Sequence, residues 1–198
     1  MNSATIVTIV EGHGEVAALP TLLRRLVPLI VPGAYANIPQ PYRVPRNSLI
    51  KRTGVETAVT VAMRGKPSGS GLMVLIDADD DCPVQLAISL KERIGACRSD
   101  VAASVVIAKR EFEAWFLAAA PSLAGVYGFA DNVAVPTDPE GIRGAKERLS
   151  RHFPPGLAID PMAHQAGFTK VFDVQLARAN SPSFDKFWRD LEFLIKET

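Results

Sequence analysis

The sequence predicts an α/β fold: a parallel sheet with helices on both faces, followed by a mostly helical carboxy-terminal region. Two observations carry this. Three short apolar runs, at residues 5–10, 72–76 and 103–108, alternate with stretches of helical periodicity, and none shows the alternating polarity of a sheet with one wet face. After Lys109 the strand signals stop, and only helical or Pro-rich segments remain.

Residues 5–10 form a β-branched strand that ends in a tight turn, Glu11-Gly12-His13-Gly14-Glu15. Residues 15–30 then space Val16, Leu19, Leu22, Leu23, Leu26 and Leu29 as one helical face, with Arg24 and Arg25 on the other. Pro39 and Pro41 restrict the extended segment 35–44 to an edge strand or an irregular connection. Asn47 or Ser48 is placed to cap a helix running to about Arg64. A Pro/Gly/Ser loop at 66–71 feeds the strand 72–76, which is followed by a helix over 83–94 and the strand 103–108. Further helices are expected over 111–120, 139–152 and 183–196, with Pro-rich joints at 135–139 and 154–161. The chain thus divides into an α/β core over 1–110 and a helical extension over 111–198 packed on it.

The 198 residues suit one domain with such an extension, and 47% hydrophobic with 22% charged residues excludes disorder. A net charge of +1 leaves any nucleic-acid surface to be local. Cys82 and Cys97 are too few for a disulfide framework and lack paired metal spacing. The amino terminus shows no secretory pattern. The uncharged stretch 114–130 is broken by Pro121, Gly125 and Gly128 and falls short of the roughly 20 residues of a membrane span. A soluble cytoplasmic protein is expected.

The chemistry concentrates where four of the five residues 77–81 are aspartates, directly after an apolar strand. Two such charges about 4 Å apart cost roughly 1 kcal/mol in water and about 4 kcal/mol at an effective dielectric near 20. A hard divalent ion with oxygen ligands would offset that repulsion. Ligands of open α/β sheets bind outside the carboxyl ends of the strands, where Glu11 and Asp77 both fall. Asp77 and Asp79 share a side if strand geometry persists. Asp80 reads as a ligand or a solvated residue, and Asp81 as a helix N-cap. Glu15 reads either as a helix-dipole partner or as a member of the site. The third strand delivers Lys109-Arg110-Glu111-Phe112-Glu113-Ala114-Trp115. Glu111 or Glu113 is a candidate to join the site, Lys109 to stabilise charge on a phosphate, and Phe112, Trp115 and Phe116 to pack inward.

The turn also contains G-x-G-x-x-A, close to a dinucleotide fingerprint. Glu11 and Glu15 would repel a pyrophosphate there, and no acidic residue between 16 and 55 could hold the ribose, so that reading is set aside. Arg43, Arg46, Lys51 and Arg52 form one basic group, and Arg143, Lys146, Arg148 and Arg151 a second. Both are candidates for nucleic-acid contacts. Aromatic interleaving is slight, and the near-neutral charge suggests weak intrinsic affinity for DNA, supplemented by a partner.

Glu11-Gly12 and Asp77-Ala78-Asp79 together resemble the Toprim domain shared by topoisomerases, primases and the overcoming-lysogenization-defect nucleases, with Glu15 matching the second glutamate of the nuclease-type turn. The wider set, E-G-x-G-E, D-A-D-D-D, E-x-E-A-W-F and S-F-D-K-F-W, is similar to a bacterial Toprim-like family over most of the chain. The resemblance implies a Toprim/Rossmann-like sheet and a nuclease dependent on Mg²⁺ or Mn²⁺. Glu11, Asp77 and Asp79 would hold the ions, and Glu15 with Glu111 or Glu113 would complete the shell. Glu11 would serve as ligand or general base. It further implies a separate ATPase partner in phage defence, since this chain has no P-loop. Two alternatives stand beside it. One is a non-catalytic metal- or nucleotide-binding module of an ATPase partner. The other is a small-molecule phosphohydrolase with an aspartyl nucleophile, which leaves the Glu11 turn unexplained.

Overall fold

A computed structural model describes residues 4–156 and 160–198. The chain opens with β1 (Ala4–Val10) and α1 (His13–Ile30), then makes two short strands, β2 (Ala36–Asn37) and β3 (Tyr42–Arg43). Next come α2 (Arg46–Leu49), α3 (Gly54–Ala62), β4 (Gly71–Asp77), α4 (Pro83–Cys97) and β5 (Ala103–Ala108). The remainder holds α5 (Ala114–Leu117), α6 (Ala145–Ser150), α7 (Pro161–Val171), α8 (Val174–Asn180) and α9 (Pro182–Glu197), with 3₁₀ turns at Ala120–Leu123, Val126–Gly128 and Pro139–Gly141. The sheet runs β2-β1-β4-β5 with every pairing parallel, and β3 also pairs with β1.

The unbroken apolar strands follow from burial on both faces. Ile6, Val10, Met73, Leu75, Val106 and Ala108 join one core with α1 and α9. The intervening residues Val7, Ile9, Leu72, Val74, Ile76, Val105 and Ile107 join the other with α3 and α4. Alternate side chains enter opposite cores, so no polar face is left to betray the period of two. The first core draws on both halves of the chain. Trp115 packs on Phe184 and Phe187 and donates its indole N–H to Ser183 Oγ at 2.8 Å, which ties E-x-E-A-W-F to S-F-D-K-F-W inside the protein.

Several expected elements differ. The helix expected from Asn47 or Ser48 to Arg64 is two helices. The chain turns at Lys51–Thr53, where Thr53 is left-handed at φ 62°, and Gly54 lies so close to α2 that a Cβ would stand 1.9 Å from the Ser48 carbonyl oxygen. The helix expected over 111–120 shrinks to α5 and a 3₁₀ turn, since Pro121 cannot donate to the preceding helical turn. The segment 139–152 splits into a 3₁₀ turn and α6. Both α7 and α8 were unanticipated. Arg24 and Arg25 do not simply face water: Arg24 donates to the Ile38 carbonyl at 3.0 Å, and Arg25 to the carbonyls of Thr169 and Phe172 in and just after α7. Among the described residues, no helix is long and apolar enough to cross a membrane.

Candidate functional site

β1, β4 and β5 deliver their following residues to one end of the sheet, and there the acidic segments meet. Glu11 Oε2 accepts from the Asp77 amide at 3.3 Å, and Asp77 Oδ1 accepts from the Phe112 amide at 2.8 Å. Segments 66 and 35 residues apart in sequence are thus joined through single hydrogen bonds. Gly12 makes room for the first glutamate of α1, because a Cβ there would meet Glu15 Oε2 at 2.1 Å. The buried Glu15 carboxylate curls over this turn, and its Oε2 has no hydrogen-bond partner among the described residues. Glu113, also buried, accepts from Gln165 Nε2 at 2.8 Å. An open pocket of about 460 Å³ is lined by Glu15, Asp77, Glu111, Glu113, Lys146 and Gln165, among others.

These carboxylates raise one another's affinity for protons. Burial pushes Glu11 up to about 7; Glu15 and Asp79 add to the rise, and the Asp77 amide and Arg46 oppose it. Burial also holds Asp77 well above the usual carboxylate range, with Glu11, Glu15 and Glu113 pushing the same way. Glu15 and Glu113 are raised mainly by burial too. Their negative charge is therefore costly at neutral pH unless a cation shares the site.

The rest of the aspartate run behaves otherwise. The strand ends at Asp77, and Asp79 takes a left-handed conformation, φ 49°, so the two do not share a side as strand geometry would require. Asp79 is exposed beside Arg46, with Nε–Oδ2 at 3.5 Å. Asp80 pairs with Arg110 at 3.3 Å and Arg143 at 2.7 Å. Asp81 is not the N-cap of α4, a position held by Cys82 without a side-chain cap; its carboxylate is taken by Arg46. Arg46 also donates to the carbonyls of Asp77 (3.0 Å) and Ala78 (3.1 Å). It braces the acidic turn, so its fork is already engaged and not free for a phosphate.

The other sequence candidates scatter. Glu111 lines the cavity, but its two oxygens accept from the amides of Gly144 (2.9 Å) and Lys146 (3.2 Å) at the start of α6. Lys109 stands away from the acids. It continues the face of Val105 and Ile107 and lines a separate groove with Val84, Ile88 and Lys186 at the β5 edge. Arg43 donates to the Glu11 carbonyl at 3.3 Å. Lys51 and Arg52 are exposed at the α2–α3 turn, outside the cavity lining, whereas Lys146 is part of it. Sequence reasoning missed Gln165, since α7 carries no clear apolar stripe to signal a helix there.

Donor chemistry favours a hard cation, because every acidic group in the cavity offers oxygen and one buried oxygen lacks a partner. Among the described residues, however, no three His, Cys, Asp or Glu side chains are grouped so as to hold a metal ion.

A family profile described as Domain of unknown function (DUF4276) matches residues 10–192, which takes in Glu11, the aspartate run, Glu113 and Gln165. The chain belongs to this family. The DUF4276 match covers both halves of the chain and all the strands except most of β1. Comparison with curated proteins and with solved structures finds no match.

Proposed function

We propose that this chain is a Toprim-like hydrolase of phosphodiester bonds in nucleic acid, with DNA the expected substrate and Mg²⁺ or Mn²⁺ the cofactor. The observation that carries the reading is the meeting of Glu11, Glu15, Asp77 and Glu113 at the carboxyl ends of parallel strands, with no ion pair to any of the four among the described residues. Glu11, Glu15, Asp77 and Glu113 would supply the negative charge that draws the ion in, with Asp79 at the rim; among the described residues no three of them are grouped to ligate it directly. When bound, such an ion acidifies a coordinated water and offsets charge on the attacking and leaving oxygens.

The chain's own residues supply the rest. Glu11 would serve either as a ligand or as the group that takes the proton from an attacking water. Lys146 in the cavity wall, with Arg148 and Arg151 around an adjoining groove, provides positive charge for a phosphate backbone. A separate ATPase partner, in a phage-defence setting, would strengthen that hold.

One observation favours a second reading, a non-catalytic module that binds metal or nucleotide for an ATPase partner. Asp79, Asp80 and Asp81 are all engaged by arginines, which leaves fewer acids for catalysis. The two readings part on one experiment. Single-stranded, duplex and supercoiled DNA are incubated with Mn²⁺, with and without EDTA, using wild type and Glu11→Gln. The hydrolase reading expects metal-dependent cleavage that drops at least about a hundredfold in the variant. A wild type that cleaves none of the three substrates supports the module instead.

A further inference from the structure

We propose that the groove between α4 and α9, at the β5 edge of the sheet, docks an acidic amphipathic helix of a partner protein. This surface lies away from the acidic pocket, so it stands or falls apart from the hydrolase reading.

The layers of the fold leave α4 thinly covered. It buries only Leu90 and Ile94 along its 15 residues, whereas α1 buries eight of its 18. Val84 and Ile88, one turn apart on α4, are 64% and 53% exposed. Both line a groove whose opposite wall is Pro182 and Lys186 of α9, with Ile107 and Lys109 between the walls.

The form of the occupant follows from the edge strand. β5 is the last strand of the sheet, yet its outer edge is closed: Val105 and Ile107 are buried, and Lys186 Nζ donates to the Val105 carbonyl at 3.1 Å. A partner strand finds that ladder covered, so the occupant engages through side chains, as an amphipathic helix does in an apolar groove. At about 280 Å³ the groove falls just short of the roughly 300–1,000 Å³ of small-molecule pockets. The exposure of Val84 and Ile88 instead carries its apolar surface out onto α4, where a helix can lie.

Charge sets the polarity of that helix. Glu140, the acid in the lining, is buried, and its Oε1 accepts from the Ser181 hydroxyl and the Ser183 amide at the amino terminus of α9, where the helix dipole offsets its charge. Lys186 is matched by Asp190, and Lys109 has no ion pair among the described residues. An approaching partner therefore meets lysines beside apolar side chains. Two copies of this chain meeting through the same face would set like charges together, which disfavours self-association.

The test is fluorescence anisotropy with a synthetic amphipathic helix of about 16 residues, flanked by glutamates, beside a copy flanked by lysines. Wild type should bind the glutamate version at least about tenfold more tightly, with the preference fading in high salt. Lys109→Glu should reverse the preference, and Ile88→Ser should weaken the glutamate helix at least about tenfold. The salt-sensitive preference of the wild type carries the test should either variant fail to fold. Equal affinity for the two helices, a wild type that binds neither, or variants that bind as wild type does would overturn the proposal. So would octanoate bound as tightly as the glutamate helix, which points to a small amphiphile, or a sedimenting dimer that Ile88→Ser dissolves, which points to a second copy.

Discussion

Glu11 and Asp77 on one side, and Asp80 and Asp81 on the other, are the same kind of residue within one small corner of the fold, yet they live in opposite environments. The outer pair is exposed and matched with Arg46, Arg110 and Arg143. The inner pair is partly buried, leans on backbone amides, and adds its charge to that of Glu15 and Glu113. The contrast teaches that a run of aspartates is not one functional unit. The strand end divides it: residues up to Asp77 inherit the burial of the sheet, and residues after it inherit the solvent.

The sharpest way to break this division is activity. Asp77→Asn should lower metal-dependent cleavage by at least about a hundredfold, whereas Asp80→Asn should change it less than about threefold. Equal losses in a nuclease assay would erase the distinction between inner and outer acids.

Acidity offers the next test. Glu11 sits at about 7 in the folded chain against an ordinary 4.5. Between those values the folded chain keeps a proton that the unfolded chain has released. Stability in EDTA should therefore fall as pH rises from about 4.5 to 7. Asp77, Glu15 and Glu113 act in the same direction. Urea midpoints at pH 5 and pH 8 measure the slope, and Glu11→Gln should make it shallower. A flat wild-type profile would mean the inner acids are not held in a costly state.

Smaller is the contribution of the brace between the two groups. Arg46→Met removes the donors to the Asp77 and Ala78 carbonyls and frees Asp81, and should cost about 2 kcal/mol in chemical denaturation. Smallest is Asp80→Asn, whose exposed pairs with Arg110 and Arg143 should register as at most about 1 kcal/mol, fading in high salt. An Asp80 effect as large as that of Arg46 would show the outer turn to be more than a solvated surface.

The sequence revealed the parallel sheet because β1, β4 and β5 are apolar on both faces, a pattern that needs no tertiary knowledge to read. It put Glu11 and Asp77 together at the strand ends for the same reason, each being the first charge after such a run. It misplaced Asp79 and Asp81 because the backbone leaves the strand at Asp77 and turns left-handed, which residue type alone did not signal. Lys109 was drawn to the acids by sequence proximity alone, while the alternation of β5 turns it to the face of Val105 and Ile107. Gln165 lay beyond reach, since its place depends on α7 packing against a helix from the opposite end of the chain.

That packing of α1 against α7 has a consequence in time. A ribosome emits roughly 5–20 residues per second, so roughly 7–28 s separate the appearance of Ile30 from that of Val171. Through that interval the face of α1 that α7 will cover has no lasting partner, and Glu15 waits without Gln165. The acidic pocket is among the last features a nascent chain can assemble, so a polypeptide interrupted before α7 would carry the aspartate run but not the pocket.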